Sequence, residues 1–189
     1  MPPDATATKK RLLEAATAEF ANYGLAGARV DRIGANAKAN KRLIYVHFGT
    51  KEDLFDLVVG KALVSLADTV PFTPDDLPGY AGALFDLLQQ RPDVLRLTAW
   101  ALLERPEPIP VEVDAYRTKL QAISAAQARG KVGTHIEPVD LMAALLGLVT
   151  AWANASPALK SLAPQTPASD RQRTFRTAMM TAVRAVCAP

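Results

Sequence analysis

The stretch RVDRIGANAKANKRLIYVHFGTKEDL, residues 29–54, decides the fold of this 189-residue chain. Its first part predicts a short helix, because apolar residues recur at spacings of three and four, at Val30, Ile33 and Ala37. Asn40 then predicts the start of a second short helix, since its side-chain oxygen can accept a hydrogen bond from a free backbone amide. Two short helices joined by a three-residue turn are typical of a helix-turn-helix.

The second of these helices, from Lys41 to about Phe48, has the chemistry of a helix that enters the major groove of DNA. Lys41 and Arg42 can donate hydrogen bonds to guanine acceptors, and the Leu43 side chain can pack on a thymine methyl group. A basic pair is most often an ordinary solvated pair. Its place at the start of a short helix that also carries an aromatic residue and a histidine favours the DNA interpretation.

Neighbouring side chains suit the phosphate groups of the same double-stranded DNA. Tyr45, His47 and Lys51 can bind phosphate oxygens, which positions a protein on DNA without reading its sequence. Thr50 and Asp53 fit the capping pattern of the next helix, whose free amides are expected to add an anion site. The predicted DNA-binding residues are Arg29, Asn40, Lys41, Arg42, Leu43, Tyr45, His47, Thr50 and Lys51.

The stretch resembles the DNA-binding domain of the TetR family of bacterial transcriptional regulators. The resemblance rests on Ile33 in the first short helix, Tyr45-Val46-His47-Phe48 at the end of the second, and Gly49-Thr50-Lys51-Glu52-Asp53-Leu54 leading into the next. It is strong over roughly residues 9–57 and architectural beyond them. It implies a homodimeric DNA-binding regulator, a repressor that a small molecule bound in the C-terminal domain releases from DNA.

The stretch also departs from the family pattern. Arg29 stands where the family usually has a Thr or Ser cap, Lys38 replaces the usual turn Gly, and Gly34 replaces a helix-favouring Ala. A glycine inside a helix costs up to about 1 kcal/mol relative to alanine. Leu43 and Val46 make the DNA-facing surface unusually apolar, so a sequence preference cannot be carried over from relatives.

Composition and charge point to a globular protein with a polyanionic partner. Hydrophobic residues make up 49% of the chain and charged residues 22%, which are ordinary globular values. No apolar run approaches the roughly 18 residues of a membrane span, and the single cysteine, Cys187, fits a reducing cytoplasm. Residues 1–50 hold eight Lys and Arg against four Asp and Glu, a charge of +4, whereas the other residues sum to −1. The positive charge therefore lies with the helix-turn-helix.

The remaining periodicity predicts only helices, about nine in all, and no stretch alternates as a strand does. The first helix is predicted at about 6–23, with Leu13, Ala16, Phe20 and Tyr23 on one face, and residues 156–169 are predicted as a loop. The fourth helix, about 51–70, is apolar on several sides and is expected to be the covalent connection between two domains. The proline-dense segments 71–78 and 105–110 are predicted to interrupt helices. The sequence therefore predicts an all-α protein with a three-helix DNA-binding domain at 1–50 and a ligand-binding and dimerisation bundle at 51–189.

The predicted helix at about 138–154 is almost wholly apolar from Leu141 to Trp152. Such a helix has to be buried on every side, either in a large core or against a second copy of the chain. We interpret it, with the helix at about 170–186, as a four-helix homodimer interface, which the resemblance also implies; the alternative is a core helix of a monomer. The predicted interface residues are Leu141, Ala144, Leu145, Leu148, Trp152, Phe175, Met179 and Val183. A dimer predicts a pseudo-palindromic operator.

Large apolar and aromatic residues are spread over several C-terminal helices. In a bundle such residues commonly line a ligand cavity and are as commonly plain core. The resemblance implies a cavity somewhere between the fifth, sixth, seventh and eighth predicted helices, and places the opening of the sixth, residues 93–96, near the fourth. The mostly apolar candidates imply a largely hydrophobic small-molecule effector. The candidate ligand-binding residues are Phe85, Leu88, Trp100, Leu103, Tyr116 and Trp152.

Motifs of catalysis do not occur in the sequence. It contains no Walker loop, nucleophile elbow or dinucleotide fingerprint, so the chain is interpreted as a non-enzyme without a cofactor. His135 lies near Glu137 and Asp140, but no second His or Cys stands at ligand spacing, so no metal site is predicted. Two other functions remain open, a ligand-binding or enzymatic helical bundle without specific operator binding and a sequence-independent DNA-coating protein.

Overall fold

The computed structural model describes residues 5–189, and every regular element in that range is a helix. The helices are α1 (Ala5–Gly27), α2 (Val30–Asn36), α3 (Arg42–Phe48), α4 (Lys51–Thr69), α5 (Leu77–Gln90), α6 (Pro92–Glu104), α7 (Pro110–Ala128), α8 (Pro138–Asn154), α9 (Pro157–Ser161) and α10 (Ala168–Val186). The predicted all-α class is confirmed. The first four residues of the predicted domain 1–50 lie outside the described part of the chain.

Nine of these helices match predicted ones, and α9 lies in a segment predicted as a loop. The Ser156 hydroxyl caps this short helix by accepting a hydrogen bond from the Leu159 amide at 3.1 Å. Pro157 occupies the first turn, where its missing amide donor is not needed. α1 also continues past its predicted end at Tyr23, through a break at Gly24.

The chain forms two compact units whose boundaries differ from those predicted. The first unit comprises the chain up to Ser65 together with Arg91–Glu112, and the second comprises Leu66–Gln90 together with Val113–Pro189. The first unit therefore contains most of α4 and all of α6 in addition to the three N-terminal helices. Because the chain passes between the units within α4, before α6 and near the start of α7, the fourth helix is not the only covalent connection between them.

The core of the first unit joins α1 to α4. Leu12, Ala16 and Phe20 are fully buried along α1, so the buried line begins at Leu12, one residue before the predicted Leu13. The Phe20 ring meets the buried Phe55 ring of α4 edge to face, with 5.1 Å between the ring centroids. Burying each aromatic side chain contributes about 1.5–3 kcal/mol, so this contact is a substantial part of the unit's stability.

Gly24 allows α6 to pack on α1. Its backbone, at φ 67° and ψ −174°, is outside the region open to side-chain-bearing residues, so α1 bends there. A Cβ atom on Gly24 would lie 2.8 Å from two atoms of the Trp100 indole. Trp100 of α6 therefore occupies the space that a side chain on Gly24 would need.

Two charged residues of α6 hold the same end of α1. Arg96 donates hydrogen bonds to the carbonyl oxygens of Ala21 at 2.6 Å and Asn22 at 3.1 Å. The Glu104 carboxylate accepts hydrogen bonds from the amides of Leu25 and Ala26 just beyond the bend. These bonds satisfy backbone groups that the break in α1 leaves without helical partners. We call Arg96, Trp100 and Glu104 the α6 clasp.

The position of α6 bears on two expectations. Its opening turn is expected near α4; Arg96 of α6 contacts α1, and Arg105, the residue after α6, forms an ion pair with Asp56 of α4 at 2.6 Å. Trp100 and Leu103 were expected in one ligand cavity. Trp100 instead packs on Gly24, and Leu103 is 75% exposed. Helical spacing predicts that Trp100 and Leu103 lie on one face of α6. It does not predict where along α6 that face stops contacting a neighbouring helix.

In the second unit α5, α8 and α10 pack on one another. The Phe175 ring lies between two others, with centroids 5.7 Å from Phe85 and 5.9 Å from Trp152. Arg176 and Asp86 form a salt bridge between α10 and α5, with Nε 2.9 Å and 3.0 Å from the two carboxylate oxygens. In the cluster Phe85–Phe175–Trp152, Phe85 is buried and the other two side chains are half-buried within a single chain.

Four residues predicted for the dimer interface are already covered within one chain. Leu141, Leu145, Met179 and Val183 are each 1–2% exposed, so they have no surface left for a partner. The other four predicted interface residues are half-buried and keep surface that a partner could cover: Ala144, Leu148, Trp152 and Phe175. The sequence predicts that α8 is buried on every side, but one chain covers only one side of it and leaves Ala143, Gly147 and Ala151 exposed.

Gly24→Ala is expected to lower the free energy of unfolding by about 2–4 kcal/mol. The substitution adds backbone strain to a clash between its methyl group and the Trp100 indole. Gly27→Ala in the same helix is the matched control, because its methyl group would only approach the Tyr23 Cβ, at 3.3 Å. Urea unfolding of both variants measures the difference, and equal losses would contradict the role given to Gly24.

Candidate nucleic-acid interface

The turn between α2 and α3 lies tightly on Gly34. The Ala39 amide donates to the Gly34 carbonyl oxygen at 2.9 Å, and a Cβ on Gly34 would stand 3.1 Å from the Ala39 oxygen and 3.3 Å from the Lys41 Cα. Lys38 adopts a left-handed backbone, with φ 50°, at the position where the family usually has glycine. Close packing of the turn therefore explains the glycine at position 34, which an argument from helix propensity alone does not.

A buried carboxylate fixes the start of α2. Glu19 is only 3% exposed, and its Oε1 accepts hydrogen bonds from the Arg29 amide at 2.8 Å and the Arg32 Nε at 2.8 Å. The Arg32 guanidinium also lies over the Tyr23 ring, 4.2 Å from its centroid. Arg29 makes no capping hydrogen bond with its side chain, and the donor that Glu19 satisfies is the amide of this N-cap residue itself.

α3 has a buried side and an outward side. Ile44 and Phe48 are buried, whereas Tyr45 is 55% and Val46 73% exposed. Arg42 is also exposed, and Leu43 and His47 are half-buried at the edges of the helix. The outward face of the predicted recognition helix is thus formed by Arg42, Tyr45 and Val46.

The two basic residues at the start of α3 differ in their surroundings. The Lys41 ammonium pairs with the Asp31 carboxylate at 2.6 Å, a hydrogen bond that raises the pKa of Lys41. The Asn40 side chain accepts a hydrogen bond from the Arg42 amide at 2.9 Å, which confirms the predicted cap. Within residues 5–189 no carboxylate pairs with the Arg42 guanidinium. Arg42 is therefore the better candidate for reading bases.

The start of α4 is closed by its own capping residues. The Asp53 carboxylate accepts hydrogen bonds from the Thr50 amide at 2.9 Å and hydroxyl at 2.8 Å, and these bonds lower the pKa of Asp53. The Thr50 hydroxyl in turn accepts from the Asp53 amide at 3.1 Å. This confirms the predicted capping pattern but occupies two amides expected to bind an anion. Lys51, half-buried, has its Nζ 3.5 Å from the Ala28 carbonyl oxygen.

All nine predicted DNA-binding residues belong to the first unit, from the start of α2 to the start of α4. Arg29 and Asn40 are exposed at the two ends of α2 and its turn. Sequence reasoning missed Glu19 and Arg32, which hold α2 in place. The available signal was an acidic residue on the apolar face of the first helix, since Glu19 follows Leu12 by seven residues and Ala16 by three.

The predicted ligand-binding residues are divided between the two units. Phe85, Leu88, Tyr116 and Trp152 belong to the second unit, whereas Trp100 and Leu103 belong to the first. Tyr116 lies near the Lys119 ammonium, which is 5.7 Å from its ring centroid. Whether any of these residues contacts an effector stays a prediction.

The second unit contains a pocket of about 250 Å³, but none of the predicted ligand residues lines it. Ligand sites of helical proteins are commonly about 300–1,000 Å³, so this pocket is small for an effector. In the described residues no group of three His, Cys, Asp or Glu side chains is placed to hold a metal ion. None of the described helices is long and apolar enough to cross a membrane.

Two family models cover most of the chain. The model for bacterial regulatory proteins of the tetR family matches residues 12–58, and the model for the tetracyclin repressor-like C-terminal domain matches residues 76–185. The chain belongs to the TetR family. The predicted membership is confirmed, and the protein is a DNA-binding transcriptional regulator.

Individual relatives agree with this assignment. The HTH-type transcriptional repressor SCO4008 of Streptomyces coelicolor is 40% identical over 163 residues, which cover 84% of each chain. The crystal structure of the transcriptional regulator SCO4942 from the same species matches with a TM-score of 0.85 at 35% identity, covering 95% of this chain and 98% of that one. Salmonella enterica GusR shares the fold alone, with a TM-score of 0.69 at 18% identity over 95% of each chain.

Arg42→Ala is expected to relax base preference at one position of each half-site, at about 1–3 kcal/mol. Lys41→Ala should cost less specificity, because Asp31 already holds the Lys41 ammonium. Lys51→Ala should weaken binding to all sequences alike and flatten the dependence on salt, as expected for a phosphate contact. Titration of preferred and random duplexes separates these effects. A uniform loss with Arg42→Ala would contradict its role in reading bases.

Proposed function

We propose that this TetR-family protein is a homodimeric repressor that binds a pseudo-palindromic operator and leaves it when a small molecule binds to its C-terminal part. The outward face of α3 supports operator binding, because it presents Arg42 beside Tyr45 and Val46 while the opposite side of the helix is buried. The similarity to a transcriptional repressor at 40% identity supports the sign of regulation.

Selection of duplexes from a random pool by the purified protein tests operator binding. A TetR-family repressor should enrich a sequence with two related half-sites about one helical turn or somewhat more apart. A protein that coats DNA without reading it would enrich nothing. A helical bundle with a non-functional helix-turn-helix would show no salt-sensitive DNA affinity at all.

The proposed dimer uses the outer faces of α8 and α10, in place of the four predicted interface residues that are buried within one chain. Exposed residues recur every four positions along α8, at Val139, Ala143, Gly147 and Ala151. A Cβ added at Gly147 would meet nothing within 4 Å, so this face is open in a single chain. The exposed face of α10 also carries small side chains, at Thr174, Ala178, Thr181 and Ala185. Small side chains let helices of two chains approach closely, which suits a four-helix interface.

Gly147→Glu is expected to give a folded monomer, because the new side chain is free of contacts within its own chain but would be buried between two chains. Operator affinity should fall sharply, since two half-sites are no longer held together. Ala125→Glu, on an exposed position of α7, is the matched control and should remain dimeric. Sedimentation measures the oligomeric state of each variant, and circular dichroism shows whether each is folded. A fully dimeric Gly147→Glu protein would rule out this interface.

Control by an effector is proposed to act through the α6 clasp. α6 belongs to the DNA-binding unit, yet it is continuous in the chain with α5 and α7, most of which belong to the second unit. A ligand that repositions either neighbour would pull on the bonds from Arg96 and Glu104 to α1. Only a ligand that prefers the repositioned state can lower operator affinity, and the usual coupling of about 1–3 kcal/mol corresponds to a 5- to 150-fold loss.

A thermal-shift screen with largely hydrophobic compounds should identify the effector, and operator affinity is then measured with and without it. Glu104→Gln is expected to reduce the effector's influence on operator affinity, because it weakens the bonds to the Leu25 and Ala26 amides. Glu107→Gln, an exposed carboxylate three residues later, is the control. The effector proposal is wrong if every stabilising compound leaves operator affinity unchanged.

A further inference from the structure

Val46 is the most exposed apolar residue of α3, with 73% of its surface open to solvent. A single exposed valine would usually need no explanation. This one lies in the helix proposed to enter the major groove, where each outward side chain meets a base or the DNA backbone. A valine has no donor for a phosphate, so a contact with phosphate would give it no hydrogen bond.

The neighbours of Val46 on α3 are fixed by the helix. At 3.6 residues per turn, Arg42 and Val46 lie side by side four positions apart, on the face opposite the buried Ile44 and Phe48. Leu43 was predicted to contact a thymine methyl group, but it is half-buried at the edge of the helix. The apolar group at the centre of the outward face is therefore Val46.

Bases present few apolar groups in the major groove. The 5-methyl group of thymine is the apolar feature of the base-edge pattern, and small aliphatic side chains pack on it. Four residues of an α-helix advance about 6 Å, and successive base pairs are about 3.4 Å apart. A side chain one turn from Arg42 therefore reaches a base within about two base pairs of the one that Arg42 contacts.

We propose that Val46 is a specificity-determining residue that packs on the methyl group of a thymine, within about two base pairs of the guanine read by Arg42. The inference rests on the proposed operator binding. It adds one thymine to the bases that each α3 helix is proposed to contact. Burial of one methyl group corresponds to about a fourfold change in affinity. A symmetric operator has two such contacts, so removing both should cost about 16-fold.

The test replaces thymines of the selected operator by deoxyuridine, one at a time. Deoxyuridine keeps the base pair and removes only the methyl group. The native protein should lose about fourfold in affinity at one thymine of each half-site. Val46→Ala should bind the thymine and deoxyuridine operators equally at that position, while keeping the preference for guanine that Arg42 provides. Alanine at this exposed site leaves no internal cavity, so the fold should be unaffected.

Val113→Ala is the matched control, because Val113 is 39% exposed on α7, outside the DNA-binding unit. It should keep the deoxyuridine profile of the native protein. The inference is overturned if no thymine lies within two base pairs of the Arg42-dependent guanine. It is also overturned if deoxyuridine costs nothing, or costs the same in the native and Val46→Ala proteins. A selection that enriches no sequence would instead overturn the proposed operator binding, and this inference with it.

Discussion

The position of the recognition helix depends on one buried carboxylate. α2 has only seven residues, too few to be stable as an isolated helix, and no side chain at its own N-cap accepts a hydrogen bond. Glu19, from the middle of α1, instead holds α2 from outside by accepting hydrogen bonds from the Arg29 amide and the Arg32 guanidinium. A buried carboxylate without such donors would be costly, so the pair of helices can adopt only the arrangement that satisfies it.

The rest of the DNA-binding unit extends this arrangement to α3 and α4. The tight turn over Gly34 sets the distance between α2 and α3, and Asn40 and Thr50 cap α3 and α4. With its inner side fixed in this way, α3 turns Arg42, Tyr45 and Val46 outward. Lys41 and Arg42 look equivalent in the sequence, but only the Lys41 side chain pairs with Asp31. Local hydrogen bonding thus distinguishes the residues that hold α3 in place from the residues that can contact DNA.

The sequence predicts what depends on short-range chemistry and misses what depends on partners far along the chain. Asn40, Thr50 and Asp53 could be assigned as caps because their acceptors and donors lie within three residues. Trp100 could not be placed, because its partner Gly24 is far away in the sequence and on another helix. Leu145 shows a related limit. Hydrophobicity predicts that it is buried, but the structure is needed to show that its own chain already covers it.

Family membership, fold class and two of the outward residues of α3, Arg42 and Tyr45, were therefore within reach of the sequence, because a continuous stretch carries them. The ligand-binding and interface residues could not be predicted in this way, because each belongs to a helix whose apolar side could pack on more than one other helix. The aromatic group of Phe85, Trp152 and Phe175 illustrates this, because residues assigned to two different surfaces form one cluster within a single chain.

The α6 clasp has a consequence for building hybrid regulators from this protein. A DNA-reading module cut at the end of the family's N-terminal match, residue 58, would leave α6 behind. The carbonyls of Ala21 and Asn22 and the amides of Leu25 and Ala26 would then lose their partners, and the surface beneath Trp100 would be open to water. The transferable part is discontinuous in sequence, and a graft that keeps the native α1 has to carry α6 or a helix with an equivalent Arg, Trp and Glu.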